Sequence, residues 1–146
     1  VNLHAFSQAI VIASALAAPV ALAADRALPS RSDSYVERAA DIAVEQPGPH
    51  EGDGTTTAYP FFEHASDFDI VFRQRALHPG ASIGEHTNDK DEIYYIVSGQ
   101  GELTLDGKRR KVVAGDAVLT RNGSRHGLRQ TGAQDLNIIV VYRRKR

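Results

Sequence analysis

Residues 80–99 read GASIGEHTNDKDEIYYIVSG. This stretch gathers side chains that can donate electron pairs. His86 comes first, Asn88 stands two places on, and Glu92 follows four places later, directly before an apolar β-type run. On an extended strand His86 and Asn88 leave the same face, about 7 Å apart along the chain. A further imidazole, His126, comes after AGDAVLTRNGSR. If the strands bearing these residues line one barrel, imidazole, carboxylate and imidazole can converge on a point. Two histidines and one carboxylate with open positions suit non-haem Fe(II), and Mn, Ni, Cu or Zn can occupy the same donors. A cation also accounts for Glu92, because an unpaired carboxylate at the mouth of an apolar strand is costly to bury.

The same strand logic names neighbours. Alternation that points Glu92 inward also points Tyr94, Ile96 and Ser98 inward. Tyr94 is then a hydrogen-bond donor or general acid beside the metal, or a core residue with a paired hydroxyl. Gln130 shares strand parity with His126 and can touch a ligand. Arg125 and Arg129 can recruit an anionic substrate or serve as solvated loop charges. His50 falls in a turn-rich linker, and His64 and His78 near strand ends, so these three are read as lying outside the constellation.

The elements that must position these groups are strands. FDIVFRQRAL alternates and is bounded by HPG, EIYYIVSG ends in glycine, and GELTLDGKRRKVV reads as a hairpin across Asp106-Gly107. AGDAVLT and DLNIIVVY complete the series. Turn signals between closely spaced strands predict a sandwich or barrel. Upstream, SYVERAADIAVEQ over residues 34–46 predicts a short helix, with Ser34 and Glu37 as a capping box and Tyr35, Ala39, Ile42 and Ala43 on one face. PGPHEGDG then breaks regular structure. At the start, FSQAIVIASALAAPVALA is apolar and uncharged, and Ala21-Leu22-Ala23 fits a cleavage signature ahead of Asp25 and Arg26. The expected organisation is a secretory signal peptide over 1–23, an N-terminal arm over 24–57, a β-barrel over 58–142 and a basic tail over 143–146.

Composition narrows the function classes. A chain of 146 residues suffices for one domain with one core. The absence of cysteine excludes disulfides, thiolate ligands and a cysteine nucleophile. A net charge of −1 provides no global field for nucleic acid or membrane. The KRRK and RRKR runs have no interleaved aromatics on which bases could stack, so nucleic acid is not an expected partner. Once the leader is cleaved, no stable membrane association is expected.

Taken together, the two polar stretches resemble a known family. GASIGEHTNDKDEIYYIVSG is similar to the first cupin motif, G-x5-H-x-H-x3–4-E-x6-G, through Gly80, His86, Glu92 and Gly99. Asn88 stands where that motif has its second histidine. GDAVLTRNGSRHGLRQ is similar to the second motif, G-x5-P-x-G-x2-H-x3-N, through Gly115, Gly123 and His126. There Arg121 replaces proline and Gln130 replaces asparagine. The resemblance implies an all-β, jelly-roll barrel of cupin type, one divalent metal inside it, and commonly a homodimer; the short helical arm read above would precede that barrel. By this carry-over His86, Glu92 and His126 are metal ligands. Asn88 is a weak fourth ligand, a residue that orients water or substrate, or the mark of a vestigial site. The function expected is that of an exported, metal-dependent oxygenase, lyase or isomerase acting on a small polar metabolite. The alternatives are a non-catalytic module that binds a small ligand or carbohydrate, and a structural dimer with a relic site.

Overall fold

The computed structural model describes residues 34–145; the leader segment expected over 1–23 lies outside the described residues. One short helix, α1 (Ala39–Ile42), precedes ten strands. These are β1 (Val44–Pro47), β2 (Thr55–Tyr59), β3 (Ile70–Leu77), β4 (Ser82–Thr87), β5 (Glu92–Ser98), β6 (Gln100–Leu105), β7 (Lys108–Val113), β8 (Ala117–Thr120), β9 (Arg125–Gln130) and β10 (Leu136–Arg143). They form two antiparallel sheets. One has the order β1-β2-β3-β10-β5-β8 and the other β4-β9-β6-β7. Facing each other, they make the jelly-roll barrel expected of the sequence.

Alternation builds the core. Tyr94 and Ile96 of β5 point inward with Leu136, Ile138 and Val140 of β10, and meet Ile83, Leu103 and Leu128 from the opposite sheet. The register pairs Ile138 with Ile96 and Val140 with Tyr94, so inward residues of adjacent strands stack side by side. The outward residues Ile93, Tyr95 and Val97 are exposed. Inward alternation stops short of Ser98, which is exposed and takes a hydrogen bond from the Asn137 amide. A register shift between Asn137 and Ile138 breaks the pleat there. The Asp106-Gly107 hairpin forms as expected, with both residues at positive φ (49° and 75°), the conformation that matches the twist of the flanking strands.

The N-terminal stretch departs from expectation. The helix predicted over 34–46 is confined to Ala39–Ile42, and its N-cap, Arg38, makes no side-chain capping bond. Glu37 does not close a capping box; its carboxylate accepts the Phe62 N–H at 2.6 Å. From Val44 the chain is extended and pairs with Thr55–Ala58 as β1. A sheet edge offers Val44 through Pro47 a full ladder partner, and that outweighs a weak four-residue helical preference.

Candidate metal site

A bulge decides which side chains of β4 face the barrel interior. Ile83 pairs with Leu128 and His86 with His126, so three steps along β4 match two along β9. Without the extra residue, strict alternation from Ile83 would send Glu85 and Thr87 inward. The bulge turns His86 inward instead, while Glu85 and Thr87 are exposed and Asn88, just past the strand, is buried. His126 sits opposite on β9, and Glu92 opens β5 in the facing sheet.

These elements bring together the three residues that the sequence singles out. One donor atom each from His86, Glu92 and His126 lies within 4.8 Å of the others. The His86 and His126 ring centroids are 4.4 Å apart. His126 is fully buried and Glu92 is 6% exposed, whereas His86 is half-buried at the cavity wall. The His86 Nδ1–H donates to the Gly84 carbonyl at 2.9 Å, which leaves the Nε2 lone pair for a ligand. Burial holds the His86 imidazole below its ordinary pKa, outweighing the opposing carbonyl contact, so the ring is neutral at pH 7.

Glu92 is charged despite its burial. Burial raises its pKa, but the His126, Asn88 and Tyr94 groups around it outweigh that and hold the carboxyl below the ordinary range. The Asn88 Nδ2 donates to Glu92 Oε2 at 2.8 Å, and His126 Nε2 lies 3.5 Å from the same oxygen. Two imidazoles and an ionised carboxylate, converging in a largely buried position, form a donor set that fits a divalent transition ion.

Tyr94 points inward as expected. Its hydroxyl stands 3.2 Å from His126 Nε2. Burial, reinforced by the Glu92 charge, pushes its pKa well above the ordinary tyrosine value, so it is a proton donor at all working pH. A spectrophotometric titration is therefore expected to show the Tyr94 phenol ionising only late, in the step that unfolds the protein. Tyr94→Phe should remove that late step, and a titration curve that Tyr94→Phe leaves without loss of a late step would contradict the assignment.

Two other sequence candidates are engaged elsewhere. The Gln130 side chain is saturated: its Oε1 accepts the Gly80 N–H, and its Nε2 donates to the Gly132 and Gln134 carbonyls. Arg125 is exposed, and its Nε donates to Glu85 at 3.0 Å. Neither lines the cleft over the metal donors, whose volume is about 200 Å³. Of the histidines set aside, His64 is exposed and His78 bridges Thr57 and Asp135, both away from the cleft.

His50 and Arg75 belong to the cleft, although the sequence reading placed His50 in a linker and did not single out Arg75. The His50 ring is stacked on His86, with centroids 3.5 Å apart and planes 7° apart. Partial desolvation of the ring against the cleft, and the neighbouring His86, lower its pKa, although the residue as a whole is exposed. Arg75 is 6% exposed on the inward face of β3 and donates to Thr56 Oγ1 at 2.6 Å and Gln46 Oε1 at 3.4 Å. The signal for Arg75 was its parity with Leu77 in FDIVFRQRAL; nothing in PGPHEGDG distinguishes His50 from a solvated turn residue.

Comparison with known proteins agrees with this architecture. Residues 74–142 match the cupin domain family. The chain is 38% identical over 72 residues to an oxalate-binding protein of Thermotoga maritima, covering 49% of this chain and 60% of that protein. It is 30% identical over 66 residues to a 5-nitrosalicylic acid 1,2-dioxygenase of a Bradyrhizobium species, covering 45% of this chain and 32% of that one. The chain thus spans less than two thirds of the length of either curated relative. Among solved structures, a predicted oxalate decarboxylase of Thermotoga maritima superposes with a TM-score of 0.69 at 29% identity, over 76% of this chain and all of that one. A polyketide cyclase of Streptomyces resistomycificus shares the fold, with a TM-score of 0.65 at 22% identity, covering 78% of this chain and 82% of that one.

Proposed function

We propose that this chain, a member of the cupin superfamily, holds one divalent transition metal between His86, Glu92 and His126 and takes up a small carboxylate anion beside it. When bound, the metal supplies Lewis acidity and open coordination positions. The chain's own residues select and orient the ligand. The observation that carries this reading is Arg75, a buried guanidinium that donates to the neutral Thr56 and Gln46, with no carboxylate pairing it among the described residues. A buried charge without a counter-ion is costly, and an anion in the cleft offsets that cost. Arg73 and Lys90 line the same cleft, and the Arg73 Nε is buried with no partner among the described residues. Among the described residues Glu92 is the one carboxylate lining the cleft, so the site with a divalent ion is net cationic. The similar proteins are named for the carboxylic acids oxalate and 5-nitrosalicylate, which supports the class.

As an enzyme, the site would act as an oxygenase, lyase or isomerase, with the Tyr94 hydroxyl as the proton-bearing group at the His126 side of the cavity. The name of the oxalate-binding relative favours a second reading, in which the anion is held without turnover. Calorimetric titration of the metal-loaded protein with oxalate and with salicylate tests the shared claim. Binding of one of them is expected, with Arg75→Gln weakening it by about 10–100-fold, as for loss of a charge-assisted hydrogen bond. Binding unaffected by Arg75→Gln, or no binding of either anion, would contradict it. Product analysis with and without O₂ separates turnover from binding, and turnover that is lost in Tyr94→Phe with metal content intact identifies the enzyme.

A further inference from the structure

We propose that a metal ligand of the barrel, His86, is set in place by the N-terminal turn, with His50 as the positioning residue. The inference rests on the metal reading above and adds a part of the chain that neither sequence motif contains. The turn over residues 48–54 is bound to β4 at several points. The Pro49 carbonyl accepts the Gly84 N–H at 3.0 Å, the Asp53 carbonyl accepts the Ser82 N–H at 2.9 Å, and the Asp53 N–H donates to Ser82 Oγ at 2.8 Å. Asp53 also pairs with Arg129 of β9 at 2.5 Å. Gly84 links the two halves of the device: its N–H is held by the turn, and its carbonyl holds His86 Nδ1. A Cβ on Gly84 would collide with the His50 carbonyl oxygen, so this close approach requires glycine.

The turn is also shaped to present His50. Both His50 and Glu51 lie in the left-handed region, at φ 55° and 59°, where L residues with side chains are disfavoured. Such conformations persist where the surroundings over-determine them, and they cluster at functional sites. The result is the His50 ring laid flat on His86. A fourth-ligand role is excluded in this pose. An imidazole binds a metal near its own ring plane, and two near-parallel rings stacked with centroids 3.5 Å apart cannot both hold one ion in their planes. His50 therefore covers and orients the ligand rather than sharing it. With Gly84 fixing the tautomer and His50 fixing the tilt, the His86 Nε2 is aimed before metal arrives, on the side where Asn88 leaves the donor set one imidazole short.

The test is Co(II) titration of the full chain, followed by calorimetry and by the visible absorption of the bound ion. His50→Ala is expected to weaken Co(II) binding by about tenfold, in the range seen when a partner that orients a ligand is lost, and to alter the Co(II) spectrum. His50→Phe keeps a flat ring without a nitrogen and is expected to restore both affinity and spectrum. His50 is exposed, so neither variant should shift the melting temperature of the metal-free protein by more than a few degrees. Wild-type affinity and spectrum in His50→Ala, or a His50→Phe protein as weak as His50→Ala, would overturn the inference alone. Failure of the wild type to bind Co(II) would overturn the metal reading and this inference with it.

Discussion

His126→Ala is expected to abolish stoichiometric binding of divalent transition metals. His126 is the fully buried donor of the three; its Nε2 lies 3.5 Å from Glu92, and one of its ring nitrogens lies within 4.8 Å of the His86 and Glu92 donors. Removing it leaves an imidazole and a carboxylate, too few protein ligands to hold a transition ion against water and buffer. The loss should exceed the ~10–100-fold that follows from removing a mere orienting partner. Alanine also leaves a buried gap, so the companion variant is Glu92→Gln, which keeps the volume and removes the charge. Calorimetric metal titration should show both variants without a high-affinity site while far-ultraviolet circular dichroism shows the sheets intact. A folded His126→Ala protein with wild-type affinity would place the metal at a site that does not use His126.

Asn88→His should act in the opposite direction. Residue 88 is buried, faces the cavity beside His86, and sits within hydrogen-bond distance of Glu92. Asn88 now presents its amide nitrogen to the carboxylate and so serves as an orienting donor. An imidazole there supplies a fourth donor of a type that late transition metals prefer to an amide oxygen. The hydrogen bond it sacrifices is worth about 1.5–3 kcal/mol, and a metal–imidazole bond more than replaces it. Affinity should rise by at least about tenfold, ~1.4 kcal/mol. Asn88→Ala, which removes the donor and adds nothing, should lower affinity. Identical affinities in all three proteins would show that residue 88 does not touch the site, whereas a weaker Asn88→His protein would show that orienting Glu92 matters more than a fourth donor.

Much of this was legible in the sequence because strands encode it locally. The inward set Glu92, Tyr94 and Ile96 follows from period-two alternation, and the Asp106-Gly107 turn from its need for two positive φ angles. His86 and His126 were legible through their motif spacing, yet the reason they face each other was not. That depends on the β4 bulge, which no residue between Ile83 and His86 announces except Gly84. The N-terminal stretch was harder still. Gly48, Gly52 and Gly54 looked like chain breakers, whereas Gly48 and Gly52 permit close approach to the β4 backbone and Gly54 adopts positive φ. Contacts made across 34 or more residues, such as His50 on His86, leave no periodic trace. Gln130 shows the converse: strand parity puts it on the side of β9 that bears His126, but its amide is consumed by Gly80, Gly132 and Gln134 at the far end of the strand.

The most direct measurement is elemental analysis of the full chain purified without chelator, repeated after chelation and reloading. The account predicts one transition-metal ion per chain, restored to one on reloading and absent from His126→Ala. A protein that is folded, metal-free as purified and unable to take up Mn, Fe, Co, Ni, Cu or Zn would contradict it.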